Sequence, residues 1–156
     1  MMICRCADIE DWAEILYLWR QLQNDPHQMG KIDGDESTLK GFLKGSFSSQ
    51  YLKFWVVVDG GHVMAMAIAQ ISVTPQPLPD TGQVLMTPAL FIRAVYADRG
   101  GNPEAVKLLS KTGEEFARGA GCGSIFGNCR MDFPHKAAMR VYGYESTHVV
   151  MRKDLK

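Results

Sequence analysis

The sequence has no long hydrophobic run and no excess of charge of either sign. No apolar stretch approaches the roughly 20 residues that a membrane-spanning helix requires. The 17 basic residues balance the 17 acidic ones, so the net charge is zero. A general nucleic-acid coat or a membrane-surface protein needs a basic field, which argues against both classes. The N-terminus turns acidic at Asp8 and lacks the apolar stretch of a signal peptide. We therefore expect a cytoplasmic protein that binds neither membrane nor nucleic acid.

Cysteine is also scarce, with four residues, Cys4, Cys6, Cys122 and Cys129. Neither the Cys-x-Cys nor the Cys-x6-Cys spacing is usual for zinc, so we expect no metal site. In a strand, Cys4 and Cys6 would face the same side. Reduced, mostly buried thiols are the simplest interpretation. A thiol enzyme or hydrolase using Cys122 or Cys129 remains an alternative, although no histidine stands beside either and no G-x-S-x-G motif is present.

The chain of 156 residues has the length of one domain, with an ordinary 46% hydrophobic and 22% charged residues. We expect residues 1–156 to form that single domain, because no linker or internal repeat divides them. Hydrophobic periodicity predicts the element order β-α-α-β-β-β-α-β-α-β. Such an order favours one mixed, mainly antiparallel sheet flanked by helices, in the α/β or α+β class.

Local signals set the boundaries of the first elements. A strand over Ile3–Ala7 precedes a helix that Asp8 caps and that ends near Gln23. A second helix starts at Asp35 or Ser37. The period then changes to that of strands over Lys53–Asp59, which the turn signal Asp59-Gly60-Gly61 follows.

The strand His62–Thr74 alternates alanines with larger residues, so one of its faces must pack closely against another element. Prolines 75, 77 and 79 are expected to break this strand. The remaining predicted elements are a strand over Pro88–Ala97, a helix that Asn102 caps with Pro103 in its first position, a strand over Ser124–Arg130, a short helix from Pro134 to about Tyr142, and a strand over Tyr144–Lys153.

The segment from Ala94 to Tyr144 resembles the GNAT superfamily of acyl-CoA-dependent N-acetyltransferases. In that superfamily the fourth strand runs into V-x-P-x-x-R-G-x-G-x-G/A and then a helix with a leucine pair. The matching positions here are Val95, Ala97, Gly101, Ala105 and the pair Leu108-Leu109, and Gly143-Tyr144 stands at the later Gly-Phe position. The loop is degenerate. Pro103 replaces the central glycine, Gly100 takes the place of the arginine, Glu104 adds a negative charge, Asp132 replaces an asparagine and Met139 replaces a tyrosine.

The resemblance implies a GNAT-like fold that uses acetyl-CoA as co-substrate. A strand leading into a helix N-terminus offers unpaired N–H groups to a pyrophosphate, and the edge of that strand could pair with the pantetheine arm. The residues that would hold the coenzyme are Ala94, Val95, Arg99, Gly100, Gly101, Asn102, Glu104 and Ala105. The implied activity moves an acetyl group to an amine of a small molecule or a protein by direct attack. The alternative is a non-catalytic GNAT-fold binding or structural module.

Direct transfer needs a base, an oxyanion donor and an acid for the leaving thiolate. The donor would be a backbone N–H near Ala94 or Val95. For the acid, Tyr142 and His135 share one face of the predicted short helix; a core aromatic is the competing interpretation of Tyr142.

On the fourth strand, Tyr96 is a candidate base, whereas Arg93 fits a carboxylate or phosphate partner better. His27, in the loop between the first two helices, is a weaker candidate. The exposed edge of such a sheet could also pair with a second copy to form a homodimer.

Overall fold

A computed structural model describes residues 1–23, 32, 34–77, 80–97 and 103–127. Its strands are β1 (Ile3–Cys6), β2 (Leu52–Asp59), β3 (His62–Pro77), β4 (Val84–Ala97) and β5 (Ile125–Gly127). Its helices are α1 (Trp12–Leu22), which a 3-10 turn over Ile9–Asp11 precedes, α2 (Glu36–Ser48) and α3 (Pro103–Gly119). The strands form one sheet in the order β1-β2-β3-β4-β5, antiparallel except for the parallel pair β4–β5. The predicted fold class and element order are confirmed as far as β5. The predicted short helix after Pro134 and the last strand lie outside the described residues.

Short polar side chains start the first two helices, as predicted. The Asp8 carboxylate accepts a hydrogen bond from Glu10 N at 2.9 Å, and Asp11 returns a bond by accepting from Asp8 N at 2.8 Å. At α2 the cap is Asp35, which accepts from Thr38 N at 3.1 Å. Since these N–H groups have no partner inside the helix, each cap fixes the residue at which its helix begins.

The hairpin between β2 and β3 also follows from its sequence. Gly60 and Gly61 both have positive φ, 58° and 82°. Two such residues in a row make the tight turn whose twist matches that of the flanking strands.

Strand β3 does not end before Pro75, contrary to the prediction, but continues to Pro77 beside a β4 that starts at Val84 rather than at Pro88. The reason is the free edge of β3. Strand β2 ends at Leu52, opposite Gln70, and Ile71 N donates to Tyr51 O at 2.8 Å. Backbone groups two residues apart point to the same edge, so the nitrogens of Pro75 and Pro77 face the side that β2 has left. A proline is tolerated where its missing N–H would face a free edge.

The helices cover the two faces of the sheet with different packing. On the α1–α2 face the buried side chains are large, and they include Ile15, Leu18, Trp19, Leu39, Leu43, Phe54, Met66, Ile68 and Tyr96. On the α3 face the alanines predicted to pack closely, Ala65, Ala67 and Ala69, form a row beneath α3. Because small side chains let a helix approach the sheet, α3 buries Ala105, Gly113 and Ala117 against it.

In the part of the chain that the structure describes, no helix is both long and apolar enough to cross a membrane.

Candidate functional site at the end of β4

A β-bulge interrupts β4 at Arg93. The register passes from Ala69 opposite Ile92 to Ile68 opposite Ala94, which leaves Arg93 as an extra residue without a partner. The bulge reverses the alternation of the strand. Leu90 and Ile92 pack toward α3, whereas Ala94 and Tyr96 pack toward α1 and α2. Bulges re-aim side chains and end strand pairing, and they are frequent beside active sites.

The ladder also sets the direction of the backbone groups beyond the bulge. Because the Ile71 N–H points to the β2 side, the backbone groups of Ala67, four residues earlier, point there too. Its partner Val95 therefore directs its N–H and C=O away from β3, whereas those of Ala94 point toward β3. Of the two predicted oxyanion donors, Val95 is the one whose N–H lies on the outer edge of β4. The described part of β5 reaches only Gly127, opposite Ile92.

Helix α3 begins at Pro103, in the first helical position as predicted. Glu104 lies exposed in the first turn, and Lys107 Nζ donates to its Oε1 at 3.1 Å. The ion pair offsets part of the negative charge at this helix end. Ala105 is buried against the sheet. Of the predicted coenzyme contacts, Ala94, Val95, Glu104 and Ala105 are thus described.

The other predicted site residues, Arg99, Gly100, Gly101, Asn102, His135 and Tyr142, lie outside the described residues, as do His27, Asp132, Met139 and Cys129.

Tyr96, a candidate base, is fully buried in the core between the sheet and the first two helices. Its hydroxyl accepts a hydrogen bond from Ile32 N at 3.0 Å. Burial and this hydrogen bond fit a structural role for Tyr96 better than the role of a base, which stays a prediction.

Among the described thiols, those of Cys4 and Cys122 do not have the surroundings of a nucleophile. Cys4 and Cys6 share a face, as predicted, since they pair with Val57 and Trp55 of the α3 face. Burial raises the pKa of the Cys4 thiol, against a smaller lowering by its hydrogen bond to Thr112. Burial also raises the pKa of Cys122. A nucleophilic thiol needs a lowered pKa, so the raised pKa of Cys122 argues against that residue as the nucleophile of a thiol enzyme.

Arg93 has a partner that the sequence did not indicate. Its guanidinium lies over the ring of Phe42 in α2, at 5.6 Å from the ring centroid. The neighbouring Phe91 stacks on Phe126 of β5, with 5.9 Å between ring centroids and 22° between ring planes. Both contacts join residues far apart in the chain, so only the register of β4 could have indicated them.

Within the described ranges, no three His, Cys, Asp or Glu side chains stand close enough together to hold a metal ion.

This architecture is the fold of the GNAT acetyltransferases, which confirms the resemblance deduced from the sequence. The whole chain superposes on 99% of the aminoglycoside N-acetyltransferase AAC(6')-Iy, solved with a bisubstrate analogue of coenzyme A, with a TM-score of 0.73 and 13% identity. It also superposes over its whole length on 99% of glucosamine-6-phosphate N-acetyltransferase from Arabidopsis thaliana, with a TM-score of 0.70 and 15% identity. For a GNAT family acetyltransferase from Staphylococcus aureus the TM-score is 0.61 at 17% identity, covering 99% of this chain and 98% of that one.

No protein-family model matches the sequence, and no curated protein does either.

Proposed function

We propose that this protein is an N-acetyltransferase that moves an acetyl group from acetyl-CoA to an amine, by direct attack of the amine on the thioester. The observation that carries the proposal is the course of β4, which crosses a bulge at Arg93 and leads toward the N-terminus of α3. In a GNAT fold of this length, that course leaves one edge of β4 available to an extended ligand and places helix N–H groups near it.

Val95 N–H is the proposed oxyanion donor. It lies on the edge of β4 opposite β3, where the pantetheine arm would pair as an added strand. A backbone donor held by a sheet needs no reorganisation when negative charge develops on the thioester oxygen. Ala94, whose N–H points toward β3, contributes by fixing the strand rather than by donating to the ligand.

The first turn of α3 is the proposed pyrophosphate site, together with Arg99, Gly100, Gly101 and Asn102 before it. The helix dipole and the N–H groups of a first helical turn favour an anion there. Ala105 keeps this turn close to the sheet because its small side chain is buried.

Tyr142 is the proposed acid that protonates the leaving thiolate, with His135 as the second candidate. A phenol and an imidazole can both donate a proton, whereas Met139 between them in sequence cannot. We also propose that residues 1–156 form a single domain.

Calorimetric titration with acetyl-CoA, and with free coenzyme A for comparison, tests the proposal first. We expect micromolar binding of both ligands. Absence of binding at millimolar acetyl-CoA would contradict the proposal. If the ligand binds, release of coenzyme A thiol in the presence of amine acceptors measures the transfer itself.

Glu104 gives a sharper test of the pyrophosphate site. The substitution Glu104→Gln removes a negative charge from the first turn of α3, so we expect coenzyme A to bind about 2- to 5-fold more tightly. Glu115→Gln is the matched control, since Glu115 is a similarly exposed member of a lysine pair further along the same helix. Equal effects of the two substitutions would place the pyrophosphate elsewhere.

A non-catalytic GNAT-fold module is the second candidate, and Pro103 is the observation that favours it. At the first position of α3 it has no N–H, so the expected pyrophosphate site lacks one donor. Replacing Pro103 with Gly restores that donor. A gain in coenzyme A affinity would indicate a binding loop that has degenerated, whereas no change would indicate that this turn never held a pyrophosphate.

A further inference from the structure

The arginines of the described chain differ in their partners. Arg5, Arg20 and Arg118 each pair with a carboxylate, those of Asp11, Glu36 and Glu114 respectively. Arg93 is different, because no carboxylate of the described residues lies within ion-pair distance of it. Its guanidinium is exposed and contacts the ring of Phe42 instead. The face of a phenyl ring orients a guanidinium without using its N–H donors, so the donor fork of Arg93 stays available to a ligand.

The position of Arg93 links it to the reaction. It is the bulged residue of β4, two residues before Val95, and it extends toward α2. The half-buried ring of Phe42 lies against its guanidinium. This ring excludes water from the face of the guanidinium that it covers, and a charged hydrogen bond is stronger where water is partly excluded.

We propose that Arg93, held by Phe42, binds an anionic group of the acetyl acceptor, so that the acceptor is an amine that also carries a phosphate or a carboxylate. This inference rests on the proposed acetyl transfer. Both oxyanions match the donor fork of arginine, which can bind two of their oxygens at once. Arg93 is then a specificity-determining residue that positions the acceptor, while its amine reaches the thioester near Val95.

Acceptor amines without an anionic group fit this arrangement less well. An amine with further positive charges would be repelled by Arg93, and an amine with no anionic group would leave the N–H donors of Arg93 without a partner.

Lys53 resembles Arg93 in that its cation also stacks on a phenylalanine ring, since its Nζ lies over Phe116 at 5.3 Å from the ring centroid. It occupies the α3 face of the sheet, opposite the face on which Arg93 meets Phe42, so it provides a matched control for the loss of a ring-stacked cation.

Calorimetry on the coenzyme A complex tests the inference, because the phosphate sites of the coenzyme are then filled. The probes are two pairs of amines, O-phosphoethanolamine with ethanolamine and β-alanine with propylamine. We expect the anionic member of at least one pair to bind about tenfold or more tightly than its partner. The pair that shows the preference distinguishes phosphate from carboxylate.

The variants assign the preference to Arg93. Arg93→Gln should remove the preference, Arg93→Lys should retain part of it, and Lys53→Gln should leave it unchanged. With acetyl-CoA and a turned-over acceptor, Arg93→Gln should raise KM with little change in kcat, as expected for a group that holds the acceptor in ground and transition states alike.

Three results would overturn the inference: equal binding within both pairs, no binding of either anionic amine, or a preference that survives Arg93→Gln. Failure of the acetyl-transfer proposal is seen separately, as absence of coenzyme A binding. In that case the same titrations on the free protein still test Arg93.

Discussion

The two faces of the sheet differ in the size of the side chains that β3 contributes to them. Beneath α1 and α2, large residues such as Leu39 and Phe54 fill the space between helix and strand. Beneath α3, the row Ala65, Ala67 and Ala69 is buried in one cluster with small residues of α3 such as Ala117. Interiors of both kinds are closely packed, so each face resists a different change. The large-residue face should suffer from lost volume, and the small-residue face from added volume.

The largest expected effect is a cavity on the α1–α2 face. Leu39 is fully buried there, so Leu39→Ala should lower the free energy of unfolding by about 2–5 kcal/mol. Denaturant unfolding measures the loss. Tyr17→Ala is the control, because Tyr17 is 63% exposed on α1 and should change stability by no more than about 0.5 kcal/mol. Similar losses in the two variants would contradict this account of the face.

Overpacking the α3 face should have the next largest effect. Ala69 is fully buried in the alanine row, so Ala69→Leu should cost about 1–3 kcal/mol by forcing α3 away from the sheet. The same substitution at the exposed Ala13 of α1 is the control and should be nearly neutral. A stabilised Ala69→Leu variant would mean that space remains beneath α3.

Acid sensitivity should be specific to the α1–α2 face. There Arg5 Nη1 and Nη2 donate to the Asp11 carboxylate at 2.7 and 2.9 Å, and these bonds, with that from Asp8 N, lower the pKa of Asp11. A carboxyl whose pKa is lowered by folding stabilises the protein above its unfolded pKa of about 3.9 and loses that contribution as the pH falls through the folded value.

Asp11→Asn should therefore cost about 1–3 kcal/mol at neutral pH and flatten the loss of stability below about pH 4. Denaturant unfolding from about pH 2 to about pH 7, the range in which carboxyl groups titrate, measures both effects on the free energy of unfolding. Asp59→Asn removes an exposed carboxylate that pairs with the N-terminus, and its cost should stay within about 1 kcal/mol. If the free energy of unfolding of Asp11→Asn fell as steeply at acid pH as that of the wild type, the pair of Arg5 and Asp11 would not have this role.

The smallest expected effect is a gain. An added Cβ at Gly113 would meet Leu90 Cδ2 at 3.8 Å and Trp55 Cζ3 at 4.0 Å, which is ordinary contact. Gly113→Ala should thus stabilise α3 by about 0.5–1 kcal/mol through helix propensity. Gly41→Ala in α2 meets nothing within 4 Å, so it measures propensity alone. A lower gain at Gly113 than at Gly41 would show that α3 is already in tight contact with the sheet.

Local chemistry explains why so much of the fold was predictable. Helix caps at Asp8 and Asp35, the Asp59-Gly60-Gly61 turn and the alternating alanines of β3 each act over a few residues. The strand ends were less predictable, because the position of Pro75 in β3 depends on where β2 stops. That is a property of the assembled sheet, and no local signal carries it.

The candidate site was predictable by position but not by geometry. The motif places Ala94, Val95, Glu104 and Ala105 in order along the chain, and the structure brings this segment to the end of the sheet. The bulge at Arg93 leaves no mark on the apolar run Ala89–Ile92, since neither a glycine nor a break in hydrophobicity accompanies it. For this reason the pairing register of β3 and β4 was needed to choose between Ala94 and Val95 as oxyanion donor. It was also needed to find the contact of Arg93 with Phe42.

The prolines of β3 have a further consequence for the behaviour of the protein in concentrated solution. The hairpin arm that β3 and β4 extend beyond β2 exposes Val73, Val84 and Met86, an apolar edge of the kind that recruits strands from other molecules. From Ile71 to Pro77, a stretch that is described throughout, Val73 has the one N–H that can donate outward, since Ile71 is bonded to Tyr51 and the prolines have none. A foreign strand would find acceptors there but almost no donors, so the β3 edge of the arm is a poor template for aggregation although apolar side chains are exposed beside it.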